Sequence, residues 1–385
     1  MYNLNIEYYV YGGNIKMNRQ WTKEEANAWY AKLPWLRGCN FIGSDCANRF
    51  DMWQSYKAEQ KLATAERELA LSEKLGFNTV RLWVIFEAWL NEPEFFMDML
   101  EKYITICAQH NQYVMLCLAN EEDLPRGAYE DFIPRAVGEQ AYALGYHQGR
   151  FPEDPEVAAL PRWHYAQNPK LAPKFWRMIT DIVTRYANDS RVFCWNIYNE
   201  PGNALGEACI PILEKMFEVV RACNPMQPVT ADVWRGLKED DMAWSKEEGV
   251  ALMNSDVISF HSYSPFSWFC QTLDQFRTYG RPLFCTEWLQ RVNHNEVHDI
   301  YPLLYMTNVA NYCWGLVVGK TQTNEPWEWF WEQYEDSDKQ VDFDFTKWQH
   351  DLYRPNLRPY DPKETELIRR YNELADMRWN SIRDR

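Results

Sequence analysis

Two glutamates stand in contexts that suit bond-breaking chemistry. Glu200 closes the run Trp195-Asn-Ile-Tyr-Asn-Glu-Pro201, and Glu287 closes Leu283-Phe-Cys-Thr-Glu-Trp288. Each carboxylate follows mostly apolar residues, at the point where a strand leaves the core. One such carboxylate is equally well a helix cap or an ion-pair partner. Two of them, together with Arg81 and the His261-Ser-Tyr263 pair, make a set with a chemical purpose. Cleaving a glycosidic bond needs a proton for the leaving oxygen and a negative charge opposite the anomeric carbon. A carboxyl pair about 5–5.5 Å apart supplies both, with retention of configuration. His261 and Tyr263 alternate along one strand and so share a face.

Other polar residues fall at or just beyond strand ends: Asp45, Asn120, Asn199, Lys320 and Gln322. These are candidates for holding sugar hydroxyls. Aromatic side chains make up 16% of the 385 residues. Most of the tryptophans belong in a core. Trp234, Trp288, Trp314, Trp327, Trp329 and Trp331 lie near strand ends or in the last long loop, where a ring can stack on a sugar face. Trp288 and Trp327 are the leading candidates.

The elements that must position these groups alternate regularly. Thr22-Lys-Glu-Glu25 reads as a capping box opening the first helix. Strand candidates are 40–45, 77–86, 113–120, 192–198, 228–233, 257–263, 282–287 and 311–320. Helices are predicted over 59–75, from Pro93 onward, and over 176–187, 211–222, 274–279 and 298–311, with a closing helix opened by Asp361-Pro362. Near-continuous apolar strands imply burial on both faces, as in a parallel sheet covered by helices. Eight such units predict a single (β/α)8 barrel, with residues 1–20 as an extension and long loops at 121–175 and 323–355. An open doubly wound sheet is the alternative. No Gly-x-Gly-x-x-Gly follows the first strand, which argues against a dinucleotide site there.

These residues resemble the clan A glycoside hydrolases, most closely the cellulase-like family 5, over roughly residues 36–330. Asn199-Glu200-Pro201 is similar to the family's acid/base motif on strand four, and Glu287 in Thr-Glu-Trp to its strand-seven nucleophile. Arg81 corresponds to the arginine beside the nucleophile, and His261 and Tyr263 to the strand-six pair. Two departures stand out. Where the family carries a His after strand three, this chain reads Cys117-Leu-Ala-Asn120. Where it carries a Trp ending strand eight, the predicted strand end reads Gly319-Lys-Thr-Gln322, with Trp314 well inside the strand. The resemblance implies a retaining β-glycoside hydrolase without metal or cofactor. Arg81 is expected to lower the pKa of Glu287, and Glu287 to raise that of Glu200. Asn199 is expected to bond the sugar 2-hydroxyl and Tyr263 to orient Glu287.

Composition narrows the partners. Lys and Arg number 40 against 55 Asp and Glu, a formal charge of −15. An acidic surface argues against nucleic acid and anionic membranes as partners, and a carbohydrate is the partner that the resemblance implies. No stretch of 18 apolar residues spans a membrane, and the N-terminus lacks a secretory pattern. None of the 10 cysteines sits in a Cys-x-x-Cys pair, and no His-x-His suggests a metal centre. Several cysteines lie in apolar strands, so free thiols and a cytoplasmic setting are expected. The expected substrate is a short β-linked oligosaccharide or glycoside, with the two long loops walling off one end of the cleft. An endo-acting cellulase, mannanase or xylanase and a non-catalytic sugar-binding barrel are the alternatives.

Overall fold

The structure is a computed structural model and describes residues 19–235, 244–336 and 338–383. Most of the predicted 1–20 extension therefore lies outside the described residues. Eight strands run in parallel: β1 (Arg37–Asn40), β2 (Thr79–Trp83), β3 (Tyr113–Cys117), β4 (Val192–Tyr198), β5 (Val229–Ala231), β6 (Ile258–His261), β7 (Leu283–Trp288) and β8 (Ala310–Trp314). Their order is β5-β4-β3-β2-β1-β8-β7-β6, so the first and last strands are neighbours. The remaining gap closes through Val233, which bridges to Phe260. Val233 N donates to Ser259 O at 3.0 Å, and His261 N donates to Val233 O at 2.8 Å. The expected (β/α)8 barrel is what the chain forms.

Every residue of the eight strands is buried, as strands covered on both sides require. Leu69, Met99, Leu100, Ile104, Ile179 and Leu213 carry the helices onto the outside of the sheet. The floor of the barrel is filled by Met115, Phe193, Phe284 and Tyr312, and the first helix, Lys23–Tyr30, plugs it. Trp29 stacks on Phe193 and Phe284 there. The predicted capping box is present: Glu25 N donates to Thr22 Oγ1 at 3.2 Å and Thr22 N to Glu25 Oε2 at 2.7 Å. All ten cysteines are free thiols, eight of them buried. Among the described residues no helix is long and apolar enough to cross a membrane.

Two strand boundaries differ from the sequence reading, and both matter for the site. The first strand ends at Asn40, so Asp45 lies out in the following loop. The last strand ends at Trp314 rather than near Lys320. Gly315 turns the chain there with φ of +76°, against the side chain of Asp351. A side chain at that position would meet Asp351 and strained backbone at once. Trp314 is therefore the aromatic that ends strand eight. A helix over Lys246–Asn254, capped by Ser245, is also added to the sequence reading.

The long loops interlock. Gly145 N donates to Gln322 Oε1 at 2.7 Å, and His147 Nδ1 lies 2.8 Å from Glu325 O. Trp327 Nε1 donates to His147 Nε2 at 3.1 Å. Gly149, at φ of +61°, lies so close to Lys320 O that a Cβ would sit 2.9 Å from it. The second loop contains the helix Glu328–Glu335.

Candidate active site

The C-terminal ends of the strands converge on Arg81, which alternation along β2 points into the barrel. It is fully buried. Its Nη1 donates to Asn40 Oδ1 and to Glu287 Oε1, both at 2.8 Å. Its Nη2 donates to Asn196 Oδ1 at 2.8 Å, Asn199 Oδ1 at 2.7 Å and Asp232 Oδ2 at 2.9 Å. Five strands are thus tied to one guanidinium. Cys117 Sγ lies 3.7 Å from Nη2, at the end of β3. Trp83, two residues on from Arg81, lies under the guanidinium at 4.4 Å from its ring centroid.

Glu287 has one oxygen on Arg81 and the other on Tyr263, whose phenol donates at 2.7 Å. His261 links the two glutamates. Its Nδ1 is 2.7 Å from Glu200 Oε1, and its Nε2 is 3.4 Å from Asp232 Oδ2 and 3.5 Å from Glu287 Oε1. One oxygen of Glu200, one of Glu287 and a ring nitrogen of His261 all lie within 4.8 Å of one another. Oxygens this close belong to the short carboxyl spacing of a retaining pair and not to the wider gap that leaves room for a water.

Local structure explains how Glu200 is aimed. It lies immediately past β4, at φ of +46°, a left-handed conformation that costs a non-glycine residue about 1–2 kcal/mol. Buried Glu121 fixes the turn behind it. Glu121 Oε1 accepts from Tyr198 Oη at 3.0 Å and Gly202 N at 2.9 Å, and Oε2 from Ala204 N at 2.7 Å and Leu205 N at 2.8 Å. Glu200 Oε2 accepts from exposed Asn203 at 2.6 Å, so this oxygen faces the open side.

The charges follow from burial and pairing. Burial raises Glu287 to about 7, and the nearby His261 and Arg81 cations only partly oppose it. The expected lowering is thus reversed: with 4% of the residue exposed, the loss of water outweighs two cations. Burial alone would lower His261, but Glu287 and Asp232 raise it to about 10, leaving an imidazolium at neutral pH. Asp232, despite full burial, is held below the usual carboxylate range by Arg81 and His261. Glu200, His261 and Glu287 are spaced as three ligands of a metal ion would be. An imidazolium has no lone pair for a metal, and Arg81 places a further positive charge beside the same carboxylate.

The other sequence candidates divide. Asn199 belongs to the Arg81 network, and its buried Nδ2 makes no hydrogen bond. Trp327 packs edge-on against Tyr263 at 5.2 Å between ring centroids. Trp288 is corrected: it is fully buried, bonds Asn311 Oδ1 through its indole at 3.2 Å and packs on Tyr301. Following Glu287 on the strand, it must point to the opposite, helix-covered face. Asp45 and Lys320 are not brought to the carboxylates but share a small crevice with Lys57 and Lys61, where Asp45 accepts from Thr64 at 3.0 Å. Asn120 accepts from Glu122 N at 3.1 Å within its own turn. Gln322 is spent on the loop clasp.

Of the remaining tryptophans, Trp329 and Trp331 stack on Phe330 and Phe345 in the outer loop. Trp234 bonds Pro201 O at 3.1 Å. Trp314 instead meets Trp83 edge-on at 5.6 Å, in a cluster that includes Cys117 and Tyr263. Sequence reasoning passed over Asn40, Trp83, Glu121, Asn196 and Asp232. Asp232 carried a usable signal, a charge following the apolar run of the fifth strand.

A parallel eight-stranded barrel with a close glutamate pair, one just past β4 and one on β7 bonded to a β2 arginine, has the arrangement that retaining glycoside hydrolysis requires. The sequence profile described as Cellulase (glycosyl hydrolase family 5) matches residues 38–316, and the chain belongs to that family. No curated protein matches the chain. Among solved structures, the chain is similar to the exo-β-1,4-mannosidase Op5Man5 from Opitutaceae bacterium strain TAV5 (TM-score 0.55, 14% identity, 89% of this chain). The chain spans only 60% of that protein's length. It is also similar to the endo-β-1,4-mannanase from Thermotoga petrophila (TM-score 0.53, 13% identity, 88% of this chain and 77% of that one). A third is a family 5 mannosidase from Rhizomucor miehei (TM-score 0.51, 15% identity, 88% and 92%). At these identities the likeness concerns the fold.

Proposed function

We propose that the protein hydrolyses short β-linked oligosaccharides or glycosides through a covalent glycosyl-enzyme. The observation that carries this reading is the close glutamate pair, each member with fixed partners of its own. Glu287 attacks the anomeric carbon while Glu200 delivers a proton to the departing oxygen. Arg81 and Tyr263 hold the two oxygens of Glu287, so its attacking lone pair is aimed before substrate arrives. Once Glu287 is esterified, its charge is gone, and Glu200 takes a proton from the water that releases the sugar. The unspent amide of Asn199 is suited to the 2-hydroxyl, a bond that strengthens in the transition state. Trp83 and Trp314 pack edge-on against each other in the cluster that holds Tyr263, and so support the residue that bonds the nucleophile.

The clasp between the 143–149 and 320–327 segments supports a cleft closed at one end, hence short substrates. The two mannosidases and the mannanase among the similar structures put aryl β-mannosides first in a substrate panel, beside gluco- and xylo-configured ones. On the best substrate, Glu287→Ala should abolish turnover, and azide should restore it as the α-glycosyl azide. A β-azide product reverses the two roles. Glu200→Ala should lose most activity on poor leaving groups and keep more on dinitrophenyl glycosides. Equal loss on both counts against an acid role.

A further inference from the structure

The 121–175 segment builds a cavity that the catalytic residues do not use. It holds about 1620 Å³ including its open mouth. Five arginines line it, Arg49, Arg126, Arg135, Arg150 and Arg162, against three carboxylates, Glu122, Asp123 and Glu153. The whole chain carries a charge of −15, so this local excess of cations runs against its composition.

The pairing inside is uneven. Arg126 is spent on Glu153, through Nε to Oε1 at 2.8 Å and Nη2 to Oε2 at 2.9 Å. Arg49 meets Glu122 at 2.5 Å and Asp123 at 3.3 Å. Arg150 reaches the same two only at 3.2 and 3.4 Å. Among the described residues, Arg135 and Arg162 have no carboxylate within ion-pair distance. Arg162 donates only to the backbone oxygens of Glu121 and Glu122, at 3.5 and 3.3 Å. Burial and the charge of Arg126 lower its pKa, the mark of a guanidinium short of anions. Burial would raise Asp123, yet Arg150, Arg49, Arg135 and Arg162 together lower it.

The cavity adjoins the catalytic centre. Arg49 forms part of its wall and lies 4.1 Å from the ring centroid of Trp83 and 5.7 Å from that of Trp314. Those rings cluster with Tyr263, the residue that bonds Glu287.

We propose that the cavity receives an anionic group, a carboxylate or a sulfate or phosphate ester, on a sugar unit adjoining the cleaved residue. A planar guanidinium fork can bond two oxygens of a carboxylate or of a sulfate or phosphate ester in a bidentate way, and a lysine would not. The inference rests on the glycosidase reading for the placement of that sugar, but the binding itself is separately measurable. The probes are D-glucuronate, D-glucose 6-sulfate and D-glucose, titrated into the wild-type protein by calorimetry or intrinsic tryptophan fluorescence. At least one anionic sugar should bind about tenfold tighter than glucose, as expected for one charged hydrogen-bonded contact. That advantage should shrink as salt rises and vanish in Arg135→Ala/Arg162→Ala. The single variants Arg135→Gln and Arg162→Gln should each lose part of it, and they keep the test open if the double variant does not fold. A preference for glucuronate assigns a carboxylate, and one for the sulfate an ester. Equal binding of all three sugars, or an advantage that survives in the variants, overturns the proposal. Selective binding by a protein that cleaves no glycoside would refute the catalytic reading and leave the cavity's role standing.

Discussion

Replacing Tyr263 by Phe isolates one term in the ionisation of Glu287. The phenol donates to Glu287 Oε2 at 2.7 Å, a bond that favours the charged carboxylate. A hydrogen bond to a charged group contributes about 1.5–3 kcal/mol. Its loss should raise the carboxyl pKa by about 1–2 units. Burial already places Glu287 at about 7. The variant's carboxyl should therefore titrate at about 8–9. A nucleophile must be ionised, so activity is lost as pH falls through this pKa. The acid limb of the kcat/KM profile should move upward, from near 7 by that amount. At pH 7 the ionised fraction should fall from about one half to about one tenth or less. The assay is a pH profile on the most activated aryl glycoside the wild type accepts. The Phe ring keeps its packing against Trp327 and His350, so the melting temperature should change little. An acid limb that stays put, or moves to lower pH, refutes the reasoning.

Two further outcomes are expected. Asp232→Asn leaves Arg81 and His261 short of a buried counter-charge and should destabilise the protein by about 3–5 kcal/mol in urea unfolding. The raised pKa of His261 means its pairing with Asp232, which stays ionised, stabilises the wild type fully below about 6.5 and fails as pH rises through about 10. In Asp232→Asn that alkaline fall in Tm should begin at lower pH; an unchanged profile would show that Asp232 does not sustain the imidazolium. Gly315→Ala places a Cβ 2.3 Å from Asp351 Oδ1 on left-handed backbone and should lose about 2 kcal/mol or more, read by thermal melting. A variant as stable as wild type would mean that the strand-eight turn relaxes without cost.

The sequence exposes the parts of the site that obey strand periodicity. Glu200, Glu287, Arg81 and the His261–Tyr263 pair were legible because a charged or polar group breaks an apolar run where a strand leaves the core. The same rule, applied consistently, would have excluded Trp288, which follows an inward residue, and included Trp83, which follows Arg81 by two. Asp232 was legible by the charge rule and was passed over. Trp314 was misjudged because the apolar run Leu316-Val-Val318 continues past the real strand end. The turn at Gly315 depends on Asp351, a contact across the fold that no local pattern reveals. The loop residues His147, Arg49 and Glu121 had no periodicity to betray them. Their roles arise from contacts between segments far apart in the chain. The pKa of Glu287 was misjudged for a different reason: sequence shows the partner charges but not the depth of burial.

The closure at Val233 gives the charge network a second job. Two backbone hydrogen bonds join the fifth and sixth strands there, and a third, from Asp256 N to Val229 O at 2.8 Å, joins them at the opposite end. Side chains reinforce the junction through Thr230 Oγ1, which donates to Val257 O at 2.8 Å and lies 2.9 Å from Ser259 Oγ. Asp232 precedes the bridging residue on one side, and His261 ends the strand on the other. Their attraction across the gap acts as a rivet on the one joint where the sheet could part. Amide hydrogen exchange should therefore be fastest along this joint, and a substitution that discharges the pair should quicken exchange there before it is felt elsewhere. In this barrel the groups that ready the glutamates also hold the cylinder shut.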